Sequence, residues 1–317
     1  MSEFERIARL TARFRGPRPP ALGIGDDAAV LHGEGPLVVT VDASVEGVHF
    51  HQSFASLDAL AARAVEAAAS DLAAMGARID VDGAGLAFAW SLPQALSDAD
   101  FDALVEGSAR AAERMGAAVV GGNLTRGPNI ALTTTALGRL DAAPLTRAGA
   151  RPGDHIAVTG SPGRAAAGLG LLLSGRPVAP SLSALVDAWR APRARLAEGH
   201  GLATGSPPAS ACIDLSDGLA ADAAHLARAS GVALVFDDDA LTADPLVAAA
   251  AAALGRSPLD VVTAGGEDYE LLATGPRACF GPGWRLVGRV TEGAGLWRDR
   301  AGQRIALTDR GFDHFAR

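Results

Sequence analysis

Asp42 closes the β-branched run Leu37-Val38-Val39-Thr40-Val41-Asp42, Asp71 follows Ser70, Asp214 and Asp217 bracket Leu215-Ser216, and Asp26 and Asp27 follow Gly25. Aspartates at strand ends and tight turns are rigid and reach solvent. Aspartate also favours such places as a turn former or helix N-cap, as do Ser70 and Ser216, and for any one position that role suffices. The density of these turns in both halves of the chain points instead to an oxygen-ligand site, because Mg²⁺ takes hard carboxylates and keeps waters that phosphate can replace. Asp237-Asp238-Asp239, three consecutive charges after a strand, read as a solvated loop. No D-x-D-x-D-G loop with a distal Glu is present, which argues against calcium storage.

Two glycine patterns imitate nucleotide fingerprints. Gly23-Ile24-Gly25-Asp26-Asp27-Ala28 fits G-x-G-x-x-A, yet it follows a Pro-rich stretch and would turn two aspartates toward a pyrophosphate. Thr159-Gly160-Ser161-Pro162-Gly163 joins a strand to a helix without the third glycine spacing and reads as a structural turn.

Composition narrows the chemistry further. All 28 basic residues among 317 are arginines. Without lysine there is no Walker A ammonium, no protein-kinase strand lysine and no Schiff-base amine. A net charge of −8 with scattered arginines gives no footprint for nucleic acid, so positive charge for an anionic ligand must come from outside the protein. Cys212 and Cys279 stand far apart with no CxxC and read as packing residues. The apolar stretch Leu246 to Leu254 is too short to span a bilayer and the first six residues carry no signal-peptide h-region, so a soluble cytoplasmic protein is expected.

These acids need strand and helix ends to hold them. Phe4, Ile7, Ala8 and Leu10 predict a short N-terminal helix that Gly16-Pro17-Arg18-Pro19-Pro20 stops. Strands are expected at Leu37–Asp42, Gly85–Trp90, Ala117–Gly121 and Ile130–Gly138, with helices at Leu57–Met75 and Asp98–Met115. The pattern restarts after Leu140–Gly153 with a strand at His155–Thr159 and a helix at Arg164–Leu173. Strands near Ala211–Leu215, Val232–Phe236, Glu270–Thr274 and Arg285–Val290 and a helix at Leu219–Ala229 complete a second α/β unit; the alanines of 248–253 read as a helix face. The expected division is an N-terminal helix and linker over 1–22, a domain over 23–140 and a C-terminal α/β domain over 148–317.

Eight strings in series carry a family pattern: GIGDDAAV (23–30), DASVEGVHF (42–50), SDLAAMGA (70–77), GGNLTR (121–126), TRAGARPGD (146–154), IDLSDGL (213–219), GGEDYEL (265–271) and GFDHF (311–315). Together they resemble thiamine-monophosphate kinases, of the superfamily of aminoimidazole-ribonucleotide synthetase, selenophosphate synthetase and the hydrogenase-maturation ATPase. The resemblance implies a two-domain α/β (α+β) fold whose N-terminal domain pairs in a homodimer with nucleotide near that interface, and it implies Mg²⁺-dependent transfer of the ATP γ-phosphoryl group to thiamine phosphate. It suggests Asp27, Thr40, Asp42, Asp71, Asp214 and Asp217 as ligands for several Mg²⁺ ions. Gly122, Arg147 and Ser216 are suggested for nucleotide, and His49, Glu267 and Phe312 for thiamine phosphate.

The residue types suit that chemistry. A phosphate oxygen is already ionised at neutral pH, so no general base is required. The catalytic task is electrostatic, and aspartate-held Mg²⁺ with Arg147 answers it. A carboxylate such as Glu267 and an aromatic face such as Phe312 suit a cationic thiazolium; alone, they read as a helix-cap carboxylate and a core aromatic, and His49 as a turn histidine. Two positions depart from the pattern. Asn123 stands where an acid is usual, keeping one oxygen donor for metal and nucleotide without the charge, and Val41 stands where a threonine is usual. No N-terminal cysteine and no cysteine tail are present, which sets aside the selenophosphate and hydrogenase-maturation activities. A non-catalytic or regulatory nucleotide-binding member of the superfamily is the alternative.

Overall fold

The computed structural model describes residues 3–14 and 31–312. Asp27, the rest of the 23–30 string, the Pro-rich stretch at 16–20 and residues 313–317 lie outside the described residues. The chain divides into two units, Met1–Leu72 with Ala77–Asp141 and Ala73–Gly76 with Ala142–Arg317, and the break falls within the segment Leu140–Gly153.

The first unit runs α1 (Glu3–Arg13), β1 (Leu37–Val45), α2 (Leu57–Ala74), β2 (Gly85–Leu92), α3 (Asp98–Met115), β3 (Val119–Arg126) and β4 (Ala131–Arg139). Local chemistry sets the bounds of α3. Ser97 Oγ accepts the Asp100 amide at its start, and Gly116, at φ 68°, donates to the carbonyls of Ala112 and Glu113 at its end. The sheet order is β1-β4-β2-β3, with β2 and β3 parallel and the other pairs antiparallel. Alternation along β2 buries Leu86, Phe88, Trp90 and Leu92, and Phe14 and Phe101 pack on these rings. The helices thus cover one face. Arg13 on α1 bridges Glu106 and Glu113 of α3, which ties the N-terminal helix into this unit.

The second unit runs β5 (His155–Thr159), α4 (Arg164–Leu173), α5 (Ser183–Arg190), α6 (Leu196–Thr204), β6 (Ala211–Asp214), α7 (Leu219–Ser230), β7 (Ala233–Asp237), α8 (Asp238–Leu241), α9 (Pro245–Ala253), α10 (Pro258–Ala264), β8 (Leu271–Gly275), β9 (Trp284–Thr291), β10 (Gly295–Arg300) and β11 (Gln303–Ala306). Its seven-stranded sheet has the order β11-β10-β7-β9-β5-β8-β6, and only β7 and β10 pair in parallel. Period-two alternation serves two cores. Ile156, Val158, Ala211, Ile213 and Leu272 point into one, and Ala157, Cys212, Leu271 and Ala273 into the other. Among the described residues no single helix is long and apolar enough to cross a membrane.

Asp237-Asp238-Asp239 are not the solvated loop expected from their charges. Asp237 accepts the Ala240 amide as the N-cap of α8, and Asp238 is ion-paired with Arg298 on β10. The run starts a short helix, and one of its three charges is paired with a distant arginine.

Candidate functional site

In the first unit, Thr40 and Asp42 lie on the face of β1 that meets α2. Thr40 Oγ1 donates to Asp71 Oδ2 on α2 at 2.5 Å. Asp42, two residues along the same face, accepts the Ala43 amide at Oδ1 (2.8 Å). The turn after β1 is fixed by Glu46, which accepts the Ile130 amide and the Gln52 side chain. There His49 Nδ1 accepts the Val45 amide at 3.0 Å, so the proton of the neutral ring sits on Nε2. The structure brings Thr40, Asp42 and Asp71 together, with His49 at the end of the same strand.

Gly122 and Asn123 are placed elsewhere. Both are exposed on β3, at the opposite edge of the sheet from β1. Asn123 is in register with Ala89, Ala89 with Thr133, and Thr133 with Ala43, which puts Asn123 on the sheet face away from Thr40 and Asp42. Val41 shares that outer face. The two departures from the family pattern therefore lie on one side of the sheet and the matching acids on the other.

In the second unit, Asp214 is buried at the end of β6, and Ser216 and Asp217 occupy the turn into α7. This turn pairs with the segment 265–270: the Glu267 amide donates to the Ser216 carbonyl (2.7 Å), Tyr269 to Leu215 (2.8 Å), and Leu215 to Glu270 (2.8 Å). Glycine is required at 266, where a Cβ would lie 2.3 Å from the Ser216 carbonyl oxygen. From the other side the Phe312 amide donates to the Asp217 carbonyl at 3.0 Å. Asp214, Ser216, Asp217, Glu267 and Phe312 thus converge.

The Arg147 backbone lies apart from them. Its carbonyl accepts Ser230 Oγ at the C-terminal end of α7, a helix length, about 18 Å, from Asp217. Its charge, after burial and Arg228, holds His225 midway along the helix below the usual imidazole value.

Two acids that the sequence reading did not single out complete the electrostatics. Asp222 in the first turn of α7 accepts the amides of Asp217 (3.2 Å) and Gly218 (3.1 Å), and burial followed by the charges of Asp214 and Asp217 pushes it up to about 8. Asp268 accepts the amides of Gly163 (2.6 Å) and Ala165 (2.9 Å) at the start of α4. The residue keeps some exposure, but its carboxylate is enclosed, and burial, with Glu270 and Glu267 nearby, pushes it up to about 7. The signal for Asp222 was a carboxylate four residues after the N-cap of a helix; for Asp268 it was the acid-rich string Glu267-Asp268-Tyr269-Glu270.

The Asp268 shift has a testable consequence. Its native value of about 7 lies above the ordinary 3.8, so between these pH values the folded chain holds a proton that the unfolded chain has released. This contribution to stability is full below the ordinary value and is lost as pH rises through the native one. Asp268→Asn, which cannot ionise, should flatten the fall in Tm between these limits by several degrees. Thermal melts of both proteins across that range check it; parallel slopes would count against it.

Among the described residues no group of three or more His, Cys, Asp or Glu could hold a metal ion by itself. The donor set nevertheless suits a hard cation. Asp42 lies two residues from Thr40, the partner of Asp71, in one unit, Asp214 and Asp217 flank one turn in the other, and burial followed by the charges of Asp214 and Asp217 raises the neighbouring Asp222. Carboxylate oxygens of this kind suit a hard cation that keeps waters and takes substrate phosphate oxygens.

Residues 25–140 match the family model described as AIR synthase related protein, N-terminal domain. The chain is 39% identical over 304 residues to the thiamine-monophosphate kinase of Mycobacterium tuberculosis (strain CDC 1551 / Oshkosh), covering 92% of this chain and 86% of that protein. It is 35% identical to the thiamine-monophosphate kinase of Escherichia coli (strain K12), covering 99% and 98%. The solved structure of AaThiL complexed with AMPPCP and TMP superposes with a TM-score of 0.80 at 31% identity, covering 99% of this chain and 97% of that one. The two-unit architecture is therefore the AIR synthase-like fold.

Proposed function

Because the chain belongs to the thiamine-monophosphate kinase family, we propose that it transfers the γ-phosphoryl group of ATP to thiamine phosphate, giving thiamine diphosphate and ADP, with Mg²⁺ as the required cation. The observation that carries this reading is the convergence in the second unit of Ser216 and Asp217 with Glu267 and Phe312, the residues that the resemblance gives to nucleotide, metal and thiamine. A relative of the same fold is complexed with AMPPCP and TMP, which supports ATP and thiamine phosphate as the ligand pair.

The chain's own groups bind and orient. Asp42 and Asp71 would hold cations on one unit, Asp214 and Asp217 on the other. When bound, Mg²⁺ supplies the positive charge that screens two approaching phosphates and stabilises charge in an in-line transfer. Glu267 and Phe312 offer a carboxylate and an aromatic face to the cationic thiazolium. His49, with its proton on Nε2, offers a donor from the first unit. No side chain has to remove a proton, because the attacking phosphate oxygen is already ionised.

On the same reading the protein is cytoplasmic and a homodimer paired through its first unit. The dimer is supported by the outer face of β1, an edge strand among the described residues, on which Leu37, Val39 and Val41 are 46%, 54% and 63% exposed. Alternating exposed aliphatic side chains suit a covered surface.

Incubation of the pure protein with ATP, Mg²⁺ and thiamine phosphate, with chromatographic identification of products, tests the proposal. Thiamine diphosphate and ADP are expected. AMP or free thiamine would assign a pyrophosphokinase or a phosphatase, and ATP binding without turnover would favour the non-catalytic reading.

A further inference from the structure

Glu267 and Tyr269 are not glycines, yet both are left-handed, at φ 70° and 51°, on either side of Asp268. Each such residue is strained and persists only where its surroundings over-determine it, as at active sites and ligand clamps. Two of them within three residues need strong anchors.

The anchors are on different elements. The Glu267 and Tyr269 amides are held by the carbonyls of Ser216 and Leu215. The Asp268 carboxylate is pinned to α4 by the Gly163 and Ala165 amides. Gly163 is the N-cap of α4 and has no side chain of its own, so Asp268, 105 residues away, supplies the cap. Glu270 closes the segment by accepting Arg195 Nε (2.7 Å) and Nη2 (2.6 Å) and Thr159 Oγ1 (2.5 Å). The Glu267 carboxylate accepts Trp189 Nε1 from α5 at 2.6 Å. Trp189 is fully buried. A buried indole must place its N–H, and here it places it on the one acid of the segment assigned to substrate.

We infer that Trp189 and Asp268 are positioning residues that fix the Glu267 carboxylate for the cationic part of thiamine phosphate, Trp189 by donating to that carboxylate from α5 and Asp268 by tying the left-handed segment to α4. The inference rests on the proposed kinase reading. A carboxylate held in its bound geometry beforehand loses less freedom when the cation arrives, so the effect falls on the thiamine side of the reaction and not on ATP. Asp268 acts on the backbone at Glu267 and Trp189 on its side chain, and neither touches substrate.

The test is steady-state kinetics on Trp189→Phe, Glu267→Gln and the double variant, with thiamine phosphate and ATP varied separately. Trp189→Phe keeps most of the ring and deletes the donor, and should raise KM for thiamine phosphate about tenfold while leaving KM for ATP within about twofold. In the Glu267→Gln background, where the indole can still find an oxygen but the charge it holds in place is gone, the same change should add less than about a twofold effect. Equal rises in both KM values, or effects that multiply in the double variant, would show that Trp189 only packs, and would overturn the inference. Asp268→Asn, close in shape to the native residue, gives a second reading of the same split if Trp189→Phe does not fold, and an unchanged KM for thiamine phosphate in it overturns the role of Asp268. Wild-type protein that does not turn over thiamine phosphate overturns both the kinase reading and this inference. Wild-type turnover with unchanged KM in Glu267→Gln overturns the inference alone.

Discussion

Asp71→Asn and Asp42→Asn should each lower kcat by about three orders of magnitude while the metal-free protein melts at the same temperature or higher. The two effects separate because the structural work of these side chains needs an oxygen, whereas the proposed catalytic work needs a charge. Asp71 accepts Thr40 Oγ1, and Asp42 accepts the Ala43 amide. An asparagine oxygen can accept either bond. Removing one charge relieves repulsion between neighbouring carboxylates in the free protein and weakens the hold on a divalent cation. Rates measured across a Mg²⁺ titration, set beside melts in chelator, check this. Variants that keep wild-type rate at limiting Mg²⁺ would reduce both aspartates to strand and helix formers.

Much of the scaffold under these acids was legible from local chemistry. Asp98–Met115 is bounded by a serine N-cap and a C-terminal glycine, and His155–Thr159 by its apolar run before Gly160, so their limits agree with the sequence reading to the residue. The strands β10 and β11 were not anticipated. Arg298, Asp299, Arg300 and Gln303 make them polar, and they are strands because they pair with β7 and with each other. Helix α10 was also overlooked, although Ser257 as N-cap followed by Pro258 is a readable start. The pairing of Asp238 with Arg298 spans 60 residues, and no local pattern reveals it.

The candidate site divides along the same line. Asp42, Asp214 and Asp217 stand out because strand ends and turns announce themselves in sequence. That Thr40 bonds Asp71, or that Glu267 bonds Trp189, depends on which helix packs where, 31 and 78 residues away. Asn123 shows the converse. Its place in the GGNLTR string groups it with the metal ligands, whereas the strand order carries it across β2 and β4 to the opposite edge of the sheet and the register turns it to the other face. Sequence order cannot report that, because the crossovers between strands decide it.

That outer face supports the other large effect. Val41→Glu should convert the proposed dimer into monomers without unfolding the chain. The Val41 side chain is 63% exposed within its own chain, so a polar replacement should change the stability of one chain by no more than about 0.5 kcal/mol. In a two-fold interface the same substitution appears twice, and each new carboxylate would lose water against Leu37, Val39 and their symmetry mates with no cation to meet it. A buried unpaired charge of this kind costs about 3 kcal/mol or more, so the dimer dissociation constant should rise at least a hundredfold. Sedimentation velocity on wild type and variant at micromolar concentration reads this directly, with circular dichroism to establish that the variant is folded. Two outcomes would withdraw the interface from β1: a wild-type chain that is monomeric and still turns over, or a Val41→Glu variant that remains a dimer of unchanged affinity. Turnover by the folded variant then separates two designs. A monomer with wild-type kcat carries a complete site in one chain, whereas a folded monomer without activity needs groups from its partner, as the position of Gly122 and Asn123 on exposed β3, away from Asp42 and Asp71, leads us to expect.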